Sequence, residues 1–298
     1  AIRNPRDDPY QPRQTGMNYR HAYHAGNIGD VLKHAVLARL IVYFQRKEKP
    51  FRILDTHAGI GQYDLTSQET RKTGEWQQGI ARVLDAQMPD TVEVLLHPWL
   101  EAVREMNPGN ALQTYPGSPV LARRLMRKSD RLTLTELHPD DFRTLSERFA
   151  GDFQVKAIHL DGWLAMGSFL PPKEKRGFVL VDPAFEATDE FERMTGSVIK
   201  AWKKWAGGTY VLWYPLKDTR AIRSMHDAFA SAGIRDLLSL ELKAGKSGPD
   251  TRMLGSGMTL INPPFTLADE MRTLLPWFCN VLHQGPGSGW DVTQLIGE

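Results

Sequence analysis

Cysteine is almost missing from this chain: 298 residues contain one, Cys279. A single cysteine excludes an intramolecular disulfide and a multi-cysteine zinc site, which fits a reducing compartment. Cys279 itself is read as a buried, unreactive thiol. Long apolar runs are also missing. None approaches the roughly 18 residues of a membrane span, and the N-terminal stretch lacks the apolar core of a secretory signal. A cytoplasmic location without membrane association is therefore expected. Strong net charge is missing too, since 37 basic residues face 35 acidic ones for a formal +2. Global charge thus argues neither for nor against a nucleic-acid partner. The phosphate-cradling Gly-x-x-x-x-Gly-Lys-[Ser/Thr] loop is absent, and the one glycine-bearing turn lacks the third glycine of a dinucleotide fingerprint. With 41% hydrophobic residues over this length, the chain can bury a substantial core as one large domain or one domain carrying an insertion.

Residues 1–16 hold three prolines and no apolar periodicity, the composition of a flexible leader. A helical pattern covers 28–44. Five apolar runs then read as strands, at 51–55, 132–137, 153–160, 177–182 and 208–214, with helical patterns at 140–149, 190–205 and 219–232 among them. Such alternation indicates a parallel α/β sheet. A last pair, 236–242 and 257–262, has no helix-length segment between its members and reads as a hairpin adding an antiparallel edge. The expected sheet has seven strands. In a nucleotide-binding α/β fold the ribose-holding acid follows the glycine turn by about 20 residues. Here Glu136 follows Gly59 by 77, so residues 62–115 are expected to form a small helical insertion within a domain spanning 17–298.

Ligands of open α/β sheets sit at the carboxyl ends of the strands. Those ends read Asp55-Thr56-His57-Ala58-Gly59, Glu136, Asp161-Gly162 and Asp182-Pro183-Ala184-Phe185. Each acid has a plain structural reading as a turn or cap residue. Together they form the pattern of a nucleoside-type cofactor: glycine for close backbone approach, Glu136 for ribose hydroxyls, Asp161 for an adenine amino group. A sulfonium cofactor, S-adenosylmethionine, explains the missing phosphate loop better than NAD does. Asp182-Pro183-Ala184-Phe185 has the chemistry needed to alkylate an exocyclic amine. A carboxylate and the Pro183 carbonyl can accept the two amine hydrogens, and an aromatic ring can stack on the base, so that catalysis is largely positioning.

A second such motif, Asn262-Pro263-Pro264-Phe265, is the better textual match. It follows the last strand of the hairpin, where the sheet edge lies away from the cofactor cleft, and is read as structural. Basic clusters at Arg123, Arg124, Arg127 and Lys128, at Lys173, Lys175 and Arg176, and at Lys203 and Lys204 suit phosphate contact near the cleft. For each cluster taken separately, a solvated helix face is the favoured reading.

The assembled words Tyr19-Arg20-His21, His24-Ala25-Gly26-Asn27, Asp30-Val31-Leu32-Lys33-His34, Leu54-Asp55-Thr56-His57-Ala58-Gly59, Tyr115-Pro116-Gly117-Ser118-Pro119, Thr135-Glu136-Leu137-His138-Pro139, Leu212-Trp213-Tyr214-Pro215 and Gly255-Ser256-Gly257-Met258 are distinctive in this order. From about Met17 onward the sequence resembles the RlmJ family of bacterial 23S rRNA adenine-N6 methyltransferases. The resemblance implies a Rossmann-like class I methyltransferase fold and cofactor contacts at Lys33, His34, His57, Ser118, Glu136, Asp161 and Gly162, beside the Gly59 turn read above. It implies Asp182 as the catalytic residue, beside Pro183 and Phe185 read above, and Tyr19 at the entry for substrate RNA. The expected partner is 23S rRNA, with no metal and no membrane, and the protein itself is expected to be a monomer. An adenine methyltransferase of DNA, or a nucleic-acid-binding protein without activity, are the alternatives. Ala184 departs from the family's second proline, which implies a less preorganised loop with its chemistry retained.

Overall fold

The computed structural model describes residues 21–109, 111–245 and 255–296. The leader at 1–16 and Tyr19 lie outside the described residues. Ten strands run in chain order: β1 Arg52–Asp55, β2 Gln62–Asp64, β3 Thr114–Pro116, β4 Arg131–Glu136, β5 Val155–His159, β6 Gly177–Val181, β7 Thr209–Pro215, β8 Leu237–Lys243, β9 Gly255–Ile261 and β10 Gly289–Ile296. Their helices are α1 Ile28–Gln45, α2 Gln68–Thr73, α3 Glu75–Gln78, α4 Ile80–Asp85, α5 Asp90–Glu105, α6 Ser118–Leu125, α7 Pro139–Arg148, α8 Gly162–Phe169, α9 Glu190–Lys204, α10 Thr219–Ser231 and α11 Leu267–Val281.

The main sheet has the order β10-β8-β9-β7-β6-β1-β4-β5. Its β5-β4-β1-β6-β7 half is parallel, and β9, β8 and β10 continue it antiparallel. Eight strands, not seven, therefore build it, and the edge is β10. The β8–β9 pair is the expected hairpin, but its second strand inserts beside β7. Of the parallel strands, β1, β4, β6 and β7 are short and largely buried on both faces, which is why they read as near-continuous apolar runs, while the edge strand β5 is partly exposed throughout. Alternate residues feed opposite layers. Phe178, Leu180 and Val211 join the core under α1, α5, α6 and α11. Val179, Val181 and Leu212 join the second core, under α8, α9 and α10.

Residues between the β2·β3 ribbon are helical, as α2 to α5. Leu96, Trp99 and Val103 of α5 share one core with Val31 and Leu32 of α1. Helix α1 is buried along almost its whole length, so it lies inside the layer and not upon it. No helix among the described residues is long and apolar enough to cross a membrane.

The arginines of two basic clusters cap the far end of α1. Arg127 donates to the carbonyls of Lys47 at 2.9 Å and Lys49 at 3.3 Å and pairs with Asp130. Arg176 donates to the carbonyls of Phe44 and Lys49. Cations at a helix C-terminus satisfy its orphan carbonyls and oppose its dipole. Arg123 and Arg124 pair with Asp152 and Glu105. Arg127 and Arg176 thus sit near the starts of β4 and β6, at the sheet end opposite the cleft, and the expectation of these clusters beside it is corrected. Asn262 is at that end too. Ile261 pairs with Tyr210 at the start of β7, and the Asn262 amide donates to the carbonyls of Ala206 and Gly208 at 2.7 Å. Strand direction, not an edge position, carries it away from the site.

Gly177 opens β6 at φ +147°, and a Cβ there would stand 1.8 Å from the Arg52 carbonyl oxygen on β1. Gly177→Ala is expected to cost about 3 kcal/mol or more, since the clash is with backbone that cannot rotate aside. Urea unfolding measures this, and an unchanged midpoint would contradict the β1·β6 packing.

Candidate active site

Between β1 and β6 the chain order reverses, so the ends of these neighbours open a crevice at the carboxyl edge. Asp55 ends β1 fully buried. Its Oδ1 accepts from the His57 N–H at 3.3 Å and its Oδ2 from the Ser118 hydroxyl at 2.7 Å. Burial pushes its pKa up to about 6, with nearby Asp182 adding to the rise against the Ser118 hydrogen bond. Ser118 is the first residue of α6 and Gly117 occupies the cap position. The serine hydroxyl is therefore spent on Asp55 and not on the helix end.

Glu136 ends β4 with each oxygen held by backbone: Oε2 accepts from Gly59 N–H and Oε1 from His138 N–H, both at 2.8 Å. Gly59 needs its φ of +60° to aim that N–H across the gap, a conformation side chains disfavour. Carboxylate oxygens have more than one lone pair, so Glu136 retains acceptor capacity towards the cavity. Asp161 caps α8 through Trp163 N–H at 2.8 Å, and its other oxygen is 3.7 Å from Arg193. Gly162 follows in close approach to β1's loop, with no room for a Cβ beside the Thr56 carbonyl, 2.2 Å away.

His57 stands against Trp163, ring centroids 4.9 Å apart, with Nδ1 2.8 Å from the Thr56 hydroxyl. That hydroxyl lies 3.0 Å from the Leu180 carbonyl, to which it donates. Its one proton is thereby used, so Nδ1 carries the imidazole proton and Nε2 is an acceptor. His34, from the second turn of α1, contacts the Tyr115 hydroxyl through Nδ1 at 2.8 Å. Its buried Nε2 has no hydrogen-bond partner, and the residue lines the cavity. Burial depresses its pKa to about 3, so the ring is neutral.

Two cavities meet at Asp182. The first is lined by His34, His57, Gly59, Ser118, Glu136, Asp161, Gly162 and Pro183. The second is lined by Asn27, Glu75, Phe185, Trp213 and Lys217. His21, Lys33, Asp182 and Ala184 belong to both walls. The structure thus brings every described candidate residue to this junction, with Phe185 on the second side alone. Phe185 has φ +52°, unusual for a bulky residue. Its ring is held against Phe191 at 4.9 Å and Trp213 at 5.9 Å. Trp213 is fixed in turn by its indole N–H to Ser256, at 2.7 Å.

Motif reading did not give Asp30 or Trp213 a role. Lys33 pairs with Asp182 and, at 2.8 Å, with Asp30. Its ammonium also lies 5.9 Å from the Trp213 ring centroid. Burial would favour a neutral amine, but the two carboxylates outweigh it and hold the Lys33 pKa above its usual range. Burial likewise opposes the charged form of Asp30, and the Lys33 ammonium with the His21 hydrogen bond outweighs it to hold Asp30 well below the usual carboxylate range. A signal was present: Asp30, Lys33 and His34 cluster within two turns of a largely apolar helix whose other buried charge is Arg39, and buried polar residues are the informative exceptions.

The strand order and a polar cavity at the switch point define a Rossmann-like class I methyltransferase fold. A family model described as "Ribosomal RNA large subunit methyltransferase D, RlmJ" matches residues 48–295. The chain is 39% identical over 282 residues to ribosomal RNA large subunit methyltransferase J of Escherichia coli K12, covering 95% of this chain and 100% of that one. It is 38% identical over 285 residues to the protein of the same name from Haemophilus influenzae, again with 95% and 100% covered. A crystal structure of a Legionella pneumophila protein superposes with a TM-score of 0.81 at 31% identity, over 91% of this chain and 98% of that one. The chain belongs to the RlmJ family.

The buried imidazole of His34 also links stability to pH. Its folded pKa of about 3 lies below the ordinary 6.5. Between those values the unfolded chain binds a proton that the folded chain does not. Its contribution is complete above 6.5 and lost as pH falls towards about 3. Asp55 acts oppositely: its contribution is complete below 3.8 and lost as pH rises through about 6. His34→Gln is expected to flatten the acid-side fall in stability, read as urea midpoints across a pH series. An unchanged slope would show that His34 is not buried neutral.

Proposed function

We propose that the chain transfers a methyl group from S-adenosylmethionine to the N6 amine of one adenosine in 23S rRNA. The observation that carries this reading is the position of Asp182 where the two cavities meet. The relatives' printed names, large-subunit ribosomal RNA methyltransferases, support the substrate class. The walls of the first cavity suit the cofactor. They offer an unpartnered His34 nitrogen, carboxylates at Glu136 and Asp161, and close backbone at Gly59 and Gly162. Bound there, the cofactor supplies an electrophilic methyl on a cationic sulfur, which acidic walls favour.

Glu136 accepts the ribose hydroxyls, Asp161 the adenine amino group, and His57 Nε2 and His34 complete the polar lining with Ser118 and Lys33. The target base leaves its stack and enters the second cavity, stacking on Phe185. Lys33 occupies Oδ2 of Asp182, which leaves Oδ1 for one amine hydrogen, while the Pro183 carbonyl accepts the other. Both hydrogens held on one side favour a pyramidal nitrogen with its lone pair towards the methyl. Asp182 orients and stabilises charge before transfer, and the proton leaves once the nitrogen is cationic. Packing of Phe185 holds the loop in place of the family's second proline at Ala184.

Residues 17–298 act as one methyltransferase domain. Residues 62–115 are its helical insertion, and Thr73, Glu75 and Gln78 of this part stand on the rim of the base cavity. Tyr19, outside the described residues, is assigned to substrate RNA in this proposal, and the protein is taken to work as a monomer in the cytoplasm.

The test incubates labelled S-adenosylmethionine with protein-free 23S rRNA lacking the modification, beside DNA of the same sequence, and identifies the product nucleoside by mass spectrometry. N6-methyladenosine in RNA is expected. Asp182→Ala should slow it by more than about a hundredfold, the scale of losing a transition-state contact, with S-adenosylhomocysteine still bound. Product in DNA alone, or undiminished product from the variant, would sink the reading.

A further inference from the structure

Asp30 has no part in the chemistry above, yet it is the most heavily engaged carboxylate at the junction. Its side chain is completely buried. One oxygen, Oδ1, lies 2.8 Å from the Lys33 ammonium, and Oδ2 accepts from Gly26 N–H at 2.8 Å. His21 Nε2 lies 3.1 Å from Oδ1 and 3.0 Å from Oδ2, and His34 Nε2 is 4.0 Å from Oδ1. Lys33 therefore stands between two carboxylates, Asp30 behind it and Asp182 before it.

We propose that Asp30 is a positioning residue for methyl transfer, dividing the Lys33 ammonium so that Asp182 keeps a net negative charge towards the amine. This rests on the transfer reading given above. The charge count is simple. One ammonium between two carboxylates leaves one negative charge, with the His21 imidazole, which contacts both oxygens of Asp30, counted as a neutral hydrogen-bond donor. With Asp182 as its only acid, the ammonium would cancel that carboxylate. Yet the nitrogen gains positive charge as the methyl arrives, so what Asp182 offers depends on how much of its charge Lys33 has consumed. In a low-dielectric site a whole charge at this range is a large term. Lys33 is still needed to fix the carboxylate's direction, and Asp30 lets it do so without neutralising its partner. Asp30 also aims the ammonium: sited one helical turn before Lys33, it pulls Nζ to a point from which Asp182 Oδ2 is reached. The neighbouring His34 is neutral and adds no charge to the count.

The rival account is structural, since Asp30 also ties Gly26 and His21 to α1. Asp30→Asn keeps the shape and an acceptor oxygen while removing the charge. Its kcat on 23S rRNA is expected to fall by about tenfold to a hundredfold, with KM and the dissociation constant for S-adenosylhomocysteine within threefold of wild type. In a Lys33→Gln background the same change should have little further effect, because the charge that Asp30 offsets is gone. An unchanged kcat overturns the proposal. So does a parallel loss of kcat, cofactor binding and thermal stability that adds fully to the Lys33→Gln effect. If Asp30→Asn fails to fold while the double variant folds, the same charge coupling is established; failure of both overturns it. Wild-type enzyme run alongside separates the two levels, since absence of methylated product there refutes the transfer reading itself.

Discussion

A buried ammonium held between a buried carboxylate and a partly buried one is the constraint on which this structure turns. An isolated charge in the interior costs several kcal/mol, and it is tolerated only when paired and hydrogen-bonded. Lys33 lies on a largely apolar helix that is buried along almost its whole length, so burying α1 forces the ammonium to find its acids. It finds one on its own helix and one at the end of β6. The direction of the Asp182 carboxylate at the junction of the two cavities follows from that pairing. Trp213, beside the ammonium and fixed to Ser256, extends it to the antiparallel half of the sheet.

Much of the parallel core was legible because most of its strands are buried on both faces, so apolar runs stand out between helical patterns. Edge and ribbon were not. Residues of β10 alternate polar and apolar weakly and are mostly exposed, which leaves no periodic signal. Strands β2 and β3 are three residues each, too short for one. Glu136, Asp161 and Asp182 could be placed by the rule that ligands gather at strand ends. His34, Ser118 and Lys33 could not, because their position depends on how α1 and α6 pack, and only family resemblance supplied them. Asp30 had a visible signal, a charge in a largely apolar helix, without a visible partner. The basic clusters show the reverse failure: runs of arginine suited phosphate contact, but only the fold reveals that Arg127 and Arg176 finish a helix.

Several site residues satisfy their plain structural reading and their chemical one together. Asp161 caps α8 with one oxygen while facing the cavity, and Glu136 accepts two backbone N–H groups while retaining lone pairs. These are not competing explanations. A carboxylate already fixed by backbone spends no further ordering when a ligand arrives, which is the physical content of preorganisation. Loop strain at Phe185 belongs to the same economy, with an unfavourable backbone angle held by two aromatic contacts.

The placement of α1 has a consequence for how the molecule comes into being. The helix precedes every strand in the chain, yet it packs on β9, more than two hundred residues later in the sequence. Its ionic partner Asp182 is also far downstream. Contacts of such long range close large loops and are made late in folding. During synthesis α1 has α5 and α6 to pack on before β9 appears, the Asp182 pair awaits β6, and the Trp213 wall is completed only once Ser256 of β9 has emerged. Competence to bind both ligands is therefore a property of the finished chain, and shorter nascent lengths lack the wall that Trp213 and Ser256 build.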